Sequence, residues 1–208
     1  MSEVFARVLA PARGPAARLA ARLADAVEEV ELPVQGEPDD GFLAGLRRRG
    51  ATLVAVDAPG HSRPVGIVLG SAATFLLHEA PCSVLVAHEW DEDDEGWPRS
   101  VVVGVDGSPE SARALDAARE LAARTSARVR AVAGLRDAHV GLDAARELVP
   151  GLEEHPNDAV GLLTELSEQA DLVVLGSRGL RGVRALGSVS ERVAHEARCP
   201  VLVVRGEP

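Results

Sequence analysis

Residue types suited to holding a phosphate are concentrated in the segment 176–190. Gly176 and Gly179 flank Arg178, and Gly187-Ser188-Val189-Ser190 follows after two further arginines. Glycines let a ligand approach the backbone closely, and the free N–H groups at the start of a helix favour an anion. Guanidinium groups pair with phosphate oxygens. The segment therefore predicts a phosphate-binding loop, although a glycine loop alone is a weak signal.

A carboxylate distant in the sequence strengthens this prediction. Asp106 follows the apolar run Ser100–Val105 and begins a turn in which Ser108 suits a helix N-cap and Pro109 the first helical position. If the strands that end at Asp106 and Gly176 are neighbours, both residues lie in the crevice at the carboxyl ends of a parallel sheet. Asp106 could contact a ligand there, or it could only cap the turn that follows it.

Several of these side chains also have a purely structural interpretation. Ser188 and Ser190 suit helix N-caps whether or not a phosphate binds. The loop arginines Arg178, Arg181 and Arg184 could face solvent or pair with the downstream Glu191 and Glu196. We favour this interpretation for Arg181 and Arg184.

The elements that must position the loop form a strand–loop–helix–strand unit. Leu172–Leu175 is a short apolar run, typical of a strand buried on both faces. Apolar residues at i, i+4 and i+8 from Val189 predict a helix, which Cys199-Pro200 ends. Val201–Val204 is a second apolar run. The unit predicts two parallel strands joined through a helix.

This unit occurs twice in the chain. Residues 78–86 (HEAPCSVLV) match residues 195–203 (HEARCPVLV), and Ala51-Thr52-Leu53-Val54 matches Ala170-Asp171-Leu172-Val173. A repeat of this length indicates two copies of one domain. About twenty residues fewer precede the unit in the first copy, enough to lose a strand or a helix. We predict a degenerate domain over 1–89, an acidic linker over 90–99 that is a solvated connector, and a complete domain over 100–208.

Alternating apolar strands and helices predict the α/β class, with two tandem open parallel-sheet domains of which the first is truncated. In the first copy we expect a strand over Val4–Leu9 and a helix over Ala16–Val27. An edge strand over Val27–Val34 and a short helix over Asp39–Arg49 are expected to follow. In the second copy we expect a strand over Val129–Ala133, whereas Arg136–Ala144 is too short for a crossover helix. A weak strand over Glu147–Leu152 and a helix over Asn157–Glu168, capped by Asn157, are expected to follow.

Composition narrows the function classes. A net charge of −10 argues against general nucleic-acid binding, which needs basic clusters. The chain has no lysine, so it has no P-loop lysine, and it offers no nucleophile elbow or metal cluster. No leader-like start and no apolar run of about 18 residues is present, so we predict a cytoplasmic protein.

One cysteine and one histidine recur in each copy: Cys82 and Cys199, and His78 and His195. One histidine and one cysteine per copy are too few for a zinc site. We expect the cysteines to be small buried apolar residues, and the histidines to pack at helix ends.

The chain resembles tandem universal stress proteins. The resemblance rests on VVVGVDGSPES at 101–111, ADLVVLGSRG at 170–179, GSVSERVAHEARCPVLVV at 187–204 and the degenerate copy at 51–87. It implies a five-stranded, HUP-type α/β fold for the complete domain. It also implies that the last strands, Val84–Ala87 and Val201–Val204, pair in an intramolecular pseudo-dimer, and a homodimer of chains is a further expectation.

ATP-binding members of the family carry a motif of the form G-x2-G-x9-G-S/T. By position, the resemblance implies that Asp106 and Gly134 meet adenine and ribose, and that the 176–190 loop holds ribose and phosphates. The expected ligand is ATP or another adenine nucleotide, which a magnesium ion could accompany. The full expected set is Val105, Asp106, Ser108, Gly134, Gly176, Arg178, Gly179, Gly187, Ser188, Val189 and Ser190.

Both copies depart from that motif. In the second copy only seven residues separate Gly179 from Gly187. The first copy keeps nine residues between Gly60 and Gly70, but Asp57 replaces the first glycine. Because a carboxylate there would repel a phosphate, we predict that the first copy binds no nucleotide.

Three functions follow from these observations. The first is a stress-response or regulatory protein that binds an adenine nucleotide in its second domain. The second is a nucleotide-free interaction or scaffold protein of the same fold, which the shortened loop and the degenerate first copy would favour. The third is an enzyme with at most slow nucleotide hydrolysis, for which the sequence supplies no dedicated machinery.

Overall fold

The computed structural model of the chain describes residues 3–32, 40–58, 70–88, 90, 94–136, 141–177 and 189–206. A single 3-10 turn, Glu3–Phe5, precedes the first strand, so the strand predicted over Val4–Leu9 begins only at Val8. The elements of the first copy are β1 (Val8–Ala10), α1 (Pro15–Leu23), β2 (Val27–Glu29), α2 (Asp40–Arg48), β3 (Leu53–Asp57), α3 (Ser71–Glu79) and β4 (Ser83–Ala87). Those of the second copy are β5 (Ser100–Gly104), α4 (Pro109–Thr125), β6 (Arg128–Gly134), α5 (Leu142–Leu148), β7 (Glu153–His155), α6 (Ala159–Leu166), β8 (Leu172–Ser177), α7 (Val189–Glu196) and β9 (Val201–Arg205).

Within these described ranges, nine strands form one sheet in the order β2-β1-β3-β4-β9-β8-β5-β6-β7. Neighbouring strands are parallel except at the centre, where β4 and β9 run antiparallel with Leu85 opposite Leu202. The last strands of the two copies therefore pair as predicted, and the α/β fold with a mostly parallel sheet is confirmed.

Helices cover both faces of the sheet. Apolar residues of α1, α4 and α5 fill one core, represented by Leu19 and Leu121, which have almost no exposed surface. Those of α2, α3, α6 and α7 fill the other, represented by Leu76 and Leu163. Because each core takes residues from both copies, the two copies share their hydrophobic interior.

The second copy departs from the sequence-based prediction in two places. Leu142–Leu148 forms α5, although we expected no helix before residue 144 and a weak strand from residue 147. The third strand lies later, at Glu153–His155. The sequence LDAAREL consists largely of strong helix formers, so propensity favours the helix over the predicted strand.

The N-cap of α6 is Asp158, one residue after the predicted Asn157. An Asp158 carboxylate oxygen accepts a hydrogen bond from the amide of Gly161 at 2.9 Å. By contrast, α4 begins as predicted, because the Ser108 hydroxyl oxygen accepts from the Ser111 amide at 3.1 Å and Pro109 is the first helical residue.

The first copy is reduced on its outer side. β2 is an exposed edge strand as predicted, but it covers only Val27–Glu29 of the expected Val27–Val34, with no strand at residues 30–32. Counting only described elements, four strands and three helices stand where the second copy has five strands and four helices. Among the described elements, the first copy thus has one strand and one helix fewer, where the shorter sequence predicted the loss of one or the other.

The linker differs from a simple solvated connector at Trp97, which is buried in the core. The rings of Trp90 and Trp97 lie 5.0 Å apart, centroid to centroid. The guanidinium carbon of Arg22 lies 5.9 Å from the Trp90 ring, within cation–π range. The described part of the linker is thus packed against α1.

Candidate functional site

A cavity of about 260 Å³ opens at the carboxyl ends of β5, β6 and β8 in the second copy. Seven of the eleven predicted residues line it: Val105, Asp106, Ser108, Gly134, Gly176, Val189 and Ser190. The remaining four, Arg178, Gly179, Gly187 and Ser188, lie outside the described residues, as do Arg181 and Arg184. The fold therefore brings together every predicted residue that the structure describes.

Asp106 and Ser108 form the polar wall of the cavity. Oδ1 of Asp106 accepts hydrogen bonds from the Ser108 amide at 3.0 Å and the Ser108 hydroxyl at 2.5 Å. Burial is the largest single influence and raises the pKa of Asp106, but the hydrogen bonds from Ser108 and Ser111 together outweigh it. The pKa is therefore lowered, and the carboxylate is ionised at neutral pH. Capping of the turn, one of the two roles considered for Asp106, is thus observed directly.

The glycines of the site allow close contact between strands and helices. A Cβ added at Gly176 would lie 2.5 Å from the Glu110 carbonyl oxygen at the start of α4. A Cβ at Gly134 would lie 2.7 Å from the Ala159 amide nitrogen at the start of α6. Both glycines are required by helix packing, a reason that differs from the predicted approach of a ligand to the backbone.

The floor of the cavity is apolar and was not identified from the sequence. It is formed by Val132, Ala133, Ala159, Leu162, Leu163 and Leu175. A signal for two of these residues existed, because the helix predicted after Asn157 places Leu162 and Leu163 against the sheet. An apolar floor beside a few polar groups is the usual composition of a small-molecule pocket.

The start of α7 forms part of the cavity wall. Val189 and Ser190 line the cavity, and Ser190 and the following Glu191 are buried. Glu191 is paired with the His78 ring at 2.9 Å, whereas the loop arginines considered as its partners lie outside the described residues. Glu196 lies 3.9 Å from Arg192, a nearby arginine of the same helix.

In the first copy, Asp57 occupies the position that corresponds to Gly176. Its Oδ1 accepts a hydrogen bond from the Ala16 amide at 2.6 Å, at the start of α1. Gly14, the N-cap residue, has a φ of 102° and no side chain of its own to cap the helix. The carboxylate therefore caps α1 from a neighbouring strand, which is a structural role that the sequence did not indicate. That the first copy binds no nucleotide stays a prediction.

Two larger cavities lie elsewhere and contain none of the predicted residues. One of about 400 Å³ lies between β2 and α2, and one of about 710 Å³ lies at the junction of the copies. The larger one is lined by both signs of charge, including Arg113 and Asp116. Arg113 is already paired with Glu110 at 3.0 Å.

The recurring cysteines are buried, as predicted, and neither is in a disulfide. Burial raises the pKa of both thiols to about 12, so neither is a reactive thiolate at neutral pH. Among the residues that the structure describes, no three His, Cys, Asp or Glu side chains are grouped to hold a metal ion. Within the same ranges, none of the helices is long and apolar enough to cross a membrane.

Comparison with known sequences identifies relatives for almost the whole chain. A sequence model of the Universal stress protein family matches residues 4–88, 98–164 and 144–205. "Universal stress protein Rv2623" of Mycobacterium tuberculosis (strain ATCC 25618 / H37Rv) is 34% identical over 186 residues, covering 74% of this chain and 62% of the relative. "Universal stress protein Rv2005c" of the same strain is 34% identical over 185 residues, with the same coverage. The chain thus spans less than two thirds of the length of these relatives.

Solved structures agree in fold. A universal stress protein from Archaeoglobus fulgidus DSM 4304 superposes with a TM-score of 0.64 at 18% identity, covering 97% of this chain and 98% of the other. A universal stress protein crystallised in complex with cAMP is 35% identical over a region that covers 52% of this chain and 97% of the other, with a TM-score of 0.40. Because the family model matches both copies over almost the whole chain, the chain belongs to the universal stress protein family.

Proposed function

We propose that the protein is a cytoplasmic stress-response or regulatory protein whose second copy binds an adenine nucleotide, with ATP as the leading candidate. The observation that carries the proposal is the single cavity in which all seven described residues of the predicted site meet. These residues come from four separate stretches of the sequence, so their meeting depends on the fold.

The composition of the cavity suits the two parts of a nucleotide. An aromatic base can lie on the apolar floor formed by Leu162, Leu163 and Leu175. The ionised carboxylate of Asp106 can accept hydrogen bonds from the hydroxyl groups of a ribose. The phosphates would extend toward Ser190 at the start of α7, where the positive end of the helix dipole favours an anion.

Size places a limit on the ligand. A volume of about 260 Å³ is close to the roughly 300 Å³ at the lower end of small-molecule pockets. The cavity can therefore enclose a nucleoside, while the phosphates lie at its mouth. The arginine and glycines of the predicted phosphate loop, Arg178, Gly179 and Gly187, belong to this outer part of the proposal.

The first test is mass spectrometry of small molecules released from freshly purified, denatured protein, followed by calorimetric titration with ATP, ADP and AMP. About one adenine nucleotide per chain is expected. Titrations with and without magnesium test whether the ion accompanies the nucleotide.

A pair of matched variants places the site. Ala159→Leu fills the floor of the cavity and should weaken binding at least tenfold, whereas Ala123→Leu, on the exposed C-terminal part of α4, should leave binding unchanged. Equal affinities for both variants would show that the ligand binds elsewhere.

The absence of both bound nucleotide and binding heat would favour the alternative, a nucleotide-free scaffold protein of the same fold. In that case the two-copy arrangement itself would be the functional surface, and a homodimer of chains would be the first partner to test by light scattering. In this proposal the protein consists of two domains, residues 1–89 and 100–208.

A further inference from the structure

The helix whose first residues line the cavity, α7, contacts two histidines of the first copy. Nε2 of His78 donates to Oε1 of Glu191 at 2.9 Å, near the start of α7. Nε2 of His88 donates to the carbonyl of Ala194 at 2.8 Å, in the middle of α7. Both contacts join the two copies. The first turn of α7 meets the end of α3, and the next turn meets the residue that follows β4.

The contact of His78 with Glu191 is largely shielded from water. Their side chains are 15% and 11% exposed. A hydrogen bond between an imidazole and a carboxylate is among the stronger ones in proteins, and partial burial reduces its screening. Such a pair holds both side chains in one geometry, in contrast to an exposed ion pair.

The sequence makes this contact one-sided. At the constant offset between the copies, His195 corresponds to His78, and Thr74 corresponds to Glu191. A threonine carries no carboxylate, so only the helix of the second copy has this acidic residue in its first turn. The one-sided contact stabilises the copy that holds the candidate site.

His195 lies one turn after Glu191 and completes the charged surroundings of the pair. Burial lowers the pKa of His195, the charges of Glu191 and Glu196 raise it, and the charge of His78 lowers it further. The three side chains are thus close enough to interact electrostatically at the junction of α3 and α7. A protonated His195 would compete with His78 for the Glu191 carboxylate, and its lowered pKa disfavours that competition.

We propose that His78 is a positioning residue for the nucleotide site of the other copy: by holding Glu191, it fixes the first turn of α7, where Val189 and Ser190 line the cavity. This inference rests on the proposed function, because it assigns a purpose to the first copy within that same site. A degenerate copy that binds no ligand would then serve the copy that does.

The test uses the full chain with four variants. His78→Ala removes the donor, and His78→Gln keeps an N–H donor at a similar reach. Glu191→Ala and the double variant His78→Ala/Glu191→Ala complete a double-mutant cycle. Arg192→Ala, on an exposed position of the same helix, is the control.

The first readout is hydrogen exchange at the Val193 and Ala194 amides in nucleotide-free protein, since in an α-helix these amides bond back to the first turn. His78→Ala should speed this exchange by about tenfold, the loss expected for one hydrogen bond to a charged group. His78→Gln should restore most of the protection, and the double variant should be no worse than either single variant.

The second readout is calorimetric affinity for ATP. His78→Ala should bind about tenfold more weakly, with His78→Gln and Arg192→Ala within about threefold of the wild type. Unchanged exchange and affinity in His78→Ala would overturn the inference while leaving the proposed function intact. A His78→Gln variant as impaired as His78→Ala would also overturn it, because the role would then be packing alone.

No ATP binding by the wild-type chain would instead overturn the proposed function, and with it the purpose assigned to His78. The exchange measurements, which need no nucleotide, would still show whether His78 holds the first turn of α7. The two failures are therefore distinguishable.

Discussion

At the scale of single residues, the sequence predicts that Asp106, Gly134 and Gly176 belong to the site, but it does not show what holds each of them in place. Asp106 is held by the amide and hydroxyl of Ser108, so its carboxylate is fixed before any ligand arrives. Gly134 and Gly176 are required because the backbones of α6 and α4 lie against them. The same residue types would have been predicted for ligand contact or for packing, and the structure shows the packing and capping roles at one cavity.

Gly176→Ala tests the packing role of this glycine. The new methyl group would meet the backbone of Glu110 and Ser111, which cannot move without displacing α4, so we expect a loss of about 1–3 kcal/mol in the free energy of unfolding. The control is Gly45→Ala in α2, where the nearest atom to the added Cβ is 3.8 Å away at Arg48. That variant should gain up to about 1 kcal/mol, as usual for glycine to alanine inside a helix. Urea unfolding of both variants measures the two effects, and similar stabilities would contradict the assignment.

At the scale of elements, the helix starts are capped in two ways. α4 and α6 are capped locally, by Ser108 and Asp158. α1 is capped from β3, by Asp57, because its own N-cap residue is Gly14. At the end of the corresponding strand, the second copy has Gly176 in close contact with the backbone of α4. The first copy has Asp57 there, whose carboxylate caps α1.

Asp57→Ala should cost about 1 kcal/mol of unfolding free energy at pH 7, the usual effect of removing an N-cap acceptor. Asp57→Asn keeps an acceptor oxygen and should lose less. Equal losses in the two variants, measured by urea unfolding, would show that the hydrogen bond to Ala16 contributes nothing.

The same residue predicts a dependence of stability on pH. Burial raises the pKa of Asp57 above its ordinary 3.8, although the Ala16 hydrogen bond and the charge of Arg18 oppose this. The folded state then holds the proton more tightly than the unfolded state, so the free energy of unfolding falls as pH rises from 3.8 through the higher folded value. Asp57→Asn should lack this decline. Identical pH profiles for the variant and the wild type over that interval would contradict the assignment.

At the scale of the whole molecule, antiparallel pairing of β4 with β9 makes one sheet from two copies. Side chains near the ends of these strands extend the junction. Arg205 donates to the carbonyl of Ala80 at 2.7 Å and to that of Leu77, at the end of α3. His88 makes the corresponding contact in the opposite direction, to Ala194. Each copy therefore supports the last helix of the other.

Arg205→Ala should lower the unfolding free energy by about 2 kcal/mol, because two half-buried carbonyls lose a charged donor. Arg192→Ala, which removes an exposed pair at 3.9 Å, should change it by less than about 0.5 kcal/mol. Because the cores are shared, unfolding followed by circular dichroism and by the fluorescence of Trp90 and Trp97 should give coincident midpoints. Two separate transitions in the wild type would show that the copies unfold independently.

The sequence by itself determined the repeat, the α/β class and most strand and helix positions, since these follow from local periodicity and repeat spacing. The site residues, which rest on the glycine loop, Asp106 and the family resemblance, stay a prediction, and those that the structure describes line one cavity. The prediction was wrong at α5 and β7, because the high helix propensity of Leu142–Leu148 favours a helix there and the third strand lies after it. Only the tertiary structure decided that Gly134 and Gly176 pack against helices, that Asp57 caps α1, and that His78 reaches Glu191. These relations join residues far apart in the chain, and their distances depend on how helices pack across the sheet, which local patterns do not contain.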